Sequence, residues 1–220
     1  MLTSLALPLA LFTMQQPAIA DRLAGRVSPD IAALAAELGT AAAARGLPID
    51  PLIQKAIEGS AKGVPSERVA SAMRLVVTQL DASAGAMREA DAVLARDTVA
   101  IAAGAFAITA GLSGRDVATL ARSGAPSRDV IVGLRVAGTL AALGVPSAET
   151  VSLVSTTLQA GRPAGELLAL PGQVRAEMAK GVGPAQAAAG LARAAAAQSH
   201  RGPPPGRGQP PTRPAPPPHP

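Results

Sequence analysis

The chain of 220 residues has no Cys, Trp or Tyr, and its two histidines, His200 and His219, lie close to the C-terminus. The residues before them therefore offer no disulfide, no Ser-His-Asp or Cys-His nucleophile and almost none of the usual ligands of zinc or haem. The formal net charge is +5, and three of these charges come from arginines after residue 197, so the rest of the chain lacks the basic footprint of nucleic-acid-binding proteins.

Residues 1–20 have the pattern of a secretory signal peptide. An apolar run over residues 2–14 is followed by a polar break and then by Ala18-Ile19-Ala20, which places small residues where signal peptidase needs them. The run is too short to cross a bilayer. We predict cleavage after Ala20, a mature chain without a transmembrane span, and a periplasmic or secreted location. A buried N-terminal helix is the alternative.

Two helices are predicted next, and the second carries a row of charges. Ser28-Pro29-Asp30 and Asp50-Pro51 are typical helix starts, because Pro suits the first helical turn and an acid complements the positive helix end. Lys55, Glu58 and Lys62 follow at i, i+3 and i+7, opposite an apolar stripe. Glu58 precedes Lys62 by four residues, the favourable order for an ion pair. This row is either a solvated surface or a face that contacts a partner.

The helix predicted after Ser66 has the clearest periodicity of the chain. Its apolar residues recur at i, i+4, i+7, i+8 and i+11 from Val69, while Arg68 and Arg74 face away from this stripe. Together with the preceding charge row, these arginines define the candidate partner-contacting residues: Lys55, Glu58, Lys62, Arg68 and Arg74.

The middle of the chain combines a charged stretch with an apolar one. The acids between residues 81 and 97 alternate with arginines and do not match a calcium loop, so we predict a solvated surface. A helix break is expected near residues 83–85 or near Asp97. Residues 99–112 are apolar on every face, which predicts a central, buried helix with Phe106 as its largest anchor.

Shorter helices are predicted to follow. Two of them begin at Arg115-Asp116-Val117 and Arg128-Asp129-Val130. Residues 147–160 are rich in β-branched side chains, but their length and flanking turns still favour a helix. Breaks are expected at Pro163 and at Pro171-Gly172, before a last Ala-rich helix over residues 184–197.

A Gly-x-Pro turn recurs between these helices. Gly63-Val64-Pro65-Ser66 is repeated at residues 124–127 and 144–147, with looser forms near residues 46, 111, 161 and 181. Gly can end a helix, Pro cannot continue it, and Ser can cap the next one. Two consecutive units span 33 to 37 residues, as in helix-pair repeats. We predict an all-α domain over residues 21–197, either an irregular helical-repeat bundle or a short α-solenoid.

Residues 198–220 form a Pro-rich segment with three arginines and no acid. Such a segment cannot bury a core, so we predict a disordered tail with polyproline II character. Its charge allows weak contact with an anionic envelope polymer or lipid surface, whereas the alternative is a passive spacer.

Residues 46–74 resemble a stretch found in uncharacterised secreted, all-helical bacterial proteins. The shared residues follow the order Gly-Leu-Pro, Pro-Leu, Lys-Ala, Glu-Gly and Lys-Gly-Val-Pro. The resemblance covers about the first third of the body and implies secretion and an all-helical fold. It implies no activity and transfers no catalytic residue.

No catalytic, nucleotide or metal pattern stands out, so we predict a non-catalytic protein that needs no cofactor. The predicted function is a protein-interaction module with an unknown protein partner and without nucleic-acid binding. The alternative is an envelope-associating protein that binds anionic polymer or lipid through its basic tail. An enzyme would require two carboxylates facing each other in one cavity.

Overall fold

The computed structural model describes residues 15–199, and the predicted all-α class is confirmed for them. Within this range there are ten α-helices, one short 3₁₀ helix at Leu94–Arg96 and no strand. The helices are α1 Gln15–Leu23, α2 Pro29–Ala44, α3 Asp50–Ala61, α4 Ser66–Ala90, α5 Thr98–Thr109, α6 Gly114–Ala121, α7 Ser127–Ala142, α8 Ser147–Gln159, α9 Ala164–Ala179 and α10 Pro184–Ser199.

The turn between α3 and α4 shows how one helix ends and the next begins. Gly63 has a φ of +65°, which lets the N–H of Val64 donate to the carbonyl of Gly59 at 3.0 Å. Pro65 then occupies the N-cap position, and Ser66 is already helical and makes no side-chain cap. The expected serine caps are therefore wrong here and at the equivalent serines of α7 and α8, because the proline takes the capping position.

Of two predicted helix breaks, the one expected near residues 83–85 or near Asp97 occurs before Asp97, and the one at Pro171-Gly172 is absent. α4 continues without interruption past residues 83–85, and the chain breaks instead before Asp97, whose carboxylate accepts hydrogen bonds from the N–H groups of Val99 and Ala100 at 2.8 and 3.2 Å. α9 runs straight through Pro171. Leu170 and Val174 are buried on either side of this proline, so core packing outweighs the lost backbone hydrogen bond.

The core consists of two hydrophobic clusters that share α4. The first cluster is built by α1, α2, α3 and the N-terminal half of α4, which contributes Val69 and Met73. The second cluster extends from the C-terminal half of α4, with Leu80 and Met87, through α10. α4 therefore connects the two halves of the core, together with the end of α2, which places Ala42 in the second cluster.

Part of the predicted signal peptide is packed into the first cluster. Residues 1–14 lie outside the described residues, but Ile19 and Leu23 of α1 are buried. A Cβ atom at Gly39 would lie 2.6 Å from the Cδ1 atom of Ile19, so the absence of a side chain there makes room for Ile19. The predicted cleavage site after Ala20 thus falls inside a helix, between two buried side chains.

α5 packs against both α4 and α7, but one of its faces is exposed, and Phe106 is not the buried anchor that was predicted. The inward positions of α5 are Ala, Ile and Gly residues, and the helices around it approach closely. The hydroxyl of buried Ser83 on α4 donates to the carbonyl of Ile101 at 2.8 Å. Such close approach leaves no room for a phenyl ring, and the side of α5 that carries Phe106 is exposed.

At the C-terminal end, α10 extends to Ser199, slightly beyond the domain boundary predicted at residue 197. Arg162, before α9, bonds both Glu166 and Gln198 and so ties the end of α10 to the domain. The predicted tail lies almost entirely outside the described residues.

Candidate partner-binding groove

A groove of about 490 Å³ crosses the surface of the α4–α5 pair. α3 packs against α4 and α7 packs against α5, so these two helices lie at the two sides of the groove. The exposed surface of the groove is mostly apolar, and most of its lining residues belong to α5 and α3. The lining residues are Pro51, Gln54, Lys55, Glu58, Val76, Gln79, Ala102, Ala103, Ala105, Phe106, Thr109, Arg135 and Thr139.

Phe106 is the most unusual lining residue, because 46% of this large apolar side chain is exposed. One edge of its ring lies against Gly138 of α7, where an added Cβ atom would come within 2.6 Å of two ring carbons. The backbone of α7 therefore supports the ring from one side, while its other side faces the groove. This arrangement presents a rigid aromatic surface to solvent.

An apolar stripe on α5 continues beyond Phe106. Val99, Ala102 and Phe106 recur at i, i+3 and i+7, which places them on one face of the helix, and Val99 is 47% exposed. On the neighbouring α4, Leu75 is 55% exposed and lies one turn before Gln79 on the same side. The groove therefore has apolar surface around it as well as within it.

The charge row predicted on α3 forms one side of the groove. Both lysines bond the same carboxylate: the Nζ–Oε distances from Glu58 are 2.5 Å to Lys62 and 3.1 Å to Lys55. These hydrogen bonds, the one from Lys62 above all, lower the pKa of Glu58 from its ordinary value near 4.5 to about 2. Glu58 is therefore ionised and already partnered at neutral pH.

Glu58 also borders two smaller depressions. One, of about 360 Å³, lies beside Arg22 and Arg26, and Arg22 is paired with Asp50 at 2.7 Å. The other, of about 200 Å³, is lined by Lys62, Val64 and Arg68, among others. Glu58 is therefore a lining residue of three neighbouring depressions. Basic side chains outnumber acidic ones around them.

Arg135 projects from α7 on the opposite side of the groove from Lys55. It is exposed, and no carboxylate in the part of the chain that the structure describes lies within ion-pair distance of its guanidinium group. The groove is therefore flanked by Arg135 on one side and by the Lys55–Glu58 ion pair on the other, with an apolar surface between them.

Four of the five predicted contact residues come together, and one does not. Lys55, Glu58, Lys62 and Arg68 line the groove or the depression next to it. Arg74 lies about 160° around α4 from Val76 at 100° per residue, so it faces away from the groove. The helical periodicity that separates polar from apolar positions does not say which polar side of a helix borders a groove.

The sequence did not indicate that Phe106 and Arg135 line the groove. A helix that is apolar on all faces gives no sign of which face its neighbours leave uncovered, so Phe106 was assigned to the core. Arg135 lies 80 residues from Lys55 in the sequence, and only the packing of α7 on α5 brings it to the same groove.

Few acidic side chains line the groove. Glu58 is the only carboxylate among the groove residues, and its oxygens are already bonded to two lysines. No group of three or more potential metal ligands occurs within residues 15–199. No helix in this range combines the length and apolar character needed to cross a bilayer.

Comparison with known proteins adds no identification. No protein-family model matches the chain, and neither the curated proteins nor the solved structures contain a significant match to it.

Proposed function

We propose that this chain is a non-catalytic protein-interaction module and that the groove over α4 and α5 is its binding surface. The proposal rests on the exposure of Phe106, whose aromatic side chain is half-exposed beside an apolar groove. Exposed aromatic residues that are held rigidly are typical energetic centres of protein interfaces. The polar and charged side chains around it provide the rim that such interfaces usually have.

We also propose that an irregular helical-repeat scaffold presents this groove. Support comes from helix starts that share one geometry: Pro65, Pro126, Pro146 and Pro163 are the N-cap residues of α4, α7, α8 and α9. Each of them follows a glycine with positive φ two residues earlier. Stacked helices of this kind form the extended surfaces that repeat proteins use for binding.

A periplasmic or secreted location remains part of the proposal. It rests on the residues before Asp21, whose apolar run and small residues match a signal peptide. The likeness of residues 46–74 to secreted bacterial proteins points the same way.

The proposal is tested by capture from cell-envelope extract with the full chain and its Phe106→Ala variant. We expect Phe106→Ala to reduce retention of a discrete partner by roughly thirtyfold, because loss of an interface centre removes about 2 kcal/mol or more of binding free energy. Leu168→Ala is the matched control, since Leu168 is 63% exposed but lies on α9, away from the groove. Equal loss in both variants, or in neither, would contradict the groove as the binding surface.

The alternative function, association with the envelope through the basic tail, gives a different result in the same experiment. Its basis is the three arginines of residues 198–220, where no acid accompanies them. Removing residues 200–220 would then abolish retention, and retention would occur only at low salt, because exposed charges are screened at physiological ionic strength. Phe106→Ala would have no effect.

A further inference from the structure

The groove carries an excess of positive charge: Arg135 has no carboxylate partner within residues 15–199, and on the α3 side two lysines share the single carboxylate of Glu58. Lys55 on α3 and Arg135 on α7 lie on opposite sides of the apolar surface. A bound segment that carries acids next to its apolar residues would pair with these cations and cover Phe106 at the same time.

We propose that the occupant of the groove is an amphipathic helical segment of another protein, with acidic residues beside its apolar face. This inference rests on the proposed function and adds the chemistry of the partner. The groove lies across two helices and between two others, and its aromatic and alanine side chains recur at helical spacing on α5. An amphipathic helix laid into such a groove buries its apolar side chains at i, i+3, i+4 and i+7.

Charge argues against the occupants that this chain could supply itself. Residues 1–14 contain no charged side chain, so they would leave Arg135 without a partner. Residues 198–220 contain arginines and no acid, so the cations of the groove would repel them. A second copy related by a two-fold axis over the groove would bring Arg135 opposite either the same arginine or the group of Lys55, Glu58 and Lys62, whose net charge is positive. An acidic segment from another protein would pair with Arg135 and would not be repelled by the cations of the groove.

The test uses the full chain and three fluorescent helical peptides of about four turns. All three have the same leucine face, and their flanking positions carry Glu, Gln or Lys. Fluorescence anisotropy measures their Kd values. We expect the Glu peptide to bind most tightly and the Lys peptide least, with a preference for Glu that shrinks as salt is added.

Charge reversal at Arg135 isolates the electrostatic part of the inference. Arg135→Glu should weaken binding of the Glu peptide by roughly tenfold or more and improve binding of the Lys peptide, because a rim charge discriminates between partners by attraction and repulsion. Arg74→Glu makes the same change of charge on the face of α4 away from the groove and should have little effect. Arg135→Gln is a milder second variant, and circular dichroism shows that each variant is folded.

Each outcome bears on one proposal. The proposal of an acidic partner would be wrong if Arg135→Glu and Arg74→Glu had equal effects. It would also be wrong if the Gln or Lys peptide bound as tightly as the Glu peptide. The proposal that the groove is the binding surface would still hold if Phe106→Ala reduced capture of the partner. Lack of binding by the Glu peptide would likewise overturn this inference alone. Concentration-dependent dimerisation of the full chain that Phe106→Ala abolishes would assign the groove to a second copy instead.

Discussion

Glu58 determines how the α3 side of the groove responds to pH. Its carboxylate accepts hydrogen bonds from Lys62 and Lys55, which lower its pKa to about 2. Because the folded-state pKa is below the unfolded value, the ion pairs stabilise the protein fully above about pH 4.5. This stabilisation is lost as the pH falls from about 4.5 towards 2. The group is exposed, so the effect on global stability is small.

We expect Lys62→Ala to raise the pKa of Glu58 towards its ordinary value, because the hydrogen bond from Lys62 is the largest cause of the shift. A carbon-13 NMR titration of the side-chain carboxyl group measures this directly. Lys180→Ala, which removes the partner of Glu177 on α9, is the control and should leave the pKa of Glu58 unchanged. An unchanged pKa in Lys62→Ala would show that the pair does not persist in solution.

At the level of the helices, α1 shows how a short element is held in place. Its buried side chains Ile19 and Leu23 enter the first hydrophobic cluster, with Ile19 packed over the bare backbone of Gly39. The ion pair between Arg22 and Asp50 then joins the end of α1 to the start of α3. The apolar contacts dominate because an exposed ion pair contributes at most about 1 kcal/mol.

Substitution of Ile19 tests whether α1 belongs to the folded domain. In any chain that retains residue 19, Ile19→Ala should lower the free energy of unfolding by about 2–5 kcal/mol, as for other fully buried aliphatic side chains. Urea denaturation followed by circular dichroism measures the loss. Ala20→Ser, at an exposed neighbouring position, is the control. A wild-type-like denaturation curve for Ile19→Ala would mean that α1 does not pack as the structure has it.

The intact mass of the protein isolated from its native cells decides the related question of cleavage. Removal of residues 1–20 would take Ile19 out of the first cluster, and Ile19→Ala would then have no effect on the mature chain. Retention of residue 19 together with loss of stability in the variant would favour the buried N-terminal helix over the signal peptide.

At the level of the whole molecule, α4 couples the two halves of the core. Met73 lies in the first cluster and Met87 in the second, and both are fully buried on the same uninterrupted helix. Unfolding one cluster would expose half of α4 and remove the packing that stabilises the helix through the other half. The two clusters are therefore expected to unfold together.

We expect Met73→Ala and Met87→Ala each to lower the midpoint of one common unfolding transition, with a loss of about 2–5 kcal/mol per substitution. Circular dichroism at 222 nm is the suitable probe, since the chain has no Trp or Tyr for fluorescence. Leu75→Ala, at an exposed position of the same helix, should change the midpoint little. Two separate transitions in either variant would show that the clusters are independent units.

Local patterns were sufficient to predict the helices and most of their ends. Periodic apolar residues predicted α4, and flanking turns predicted α8 despite its β-branched residues. The break at Pro171 was wrong, because a local rule was outweighed by buried neighbours on both sides. The serine caps were wrong for a different reason: the proline before each serine already has the extended conformation that an N-cap requires.

Residue types and their spacing within single helices were enough to predict the all-α class and the row of charges on α3. Helix packing, by contrast, leaves Phe106 exposed, brings Arg135 to the same groove as Lys55 and turns Arg74 away from it. The physical reason is that exposure and neighbourhood depend on which helices pack together. In α5, where every face is apolar and many side chains are small, the sequence carries no preference for one packing face over another.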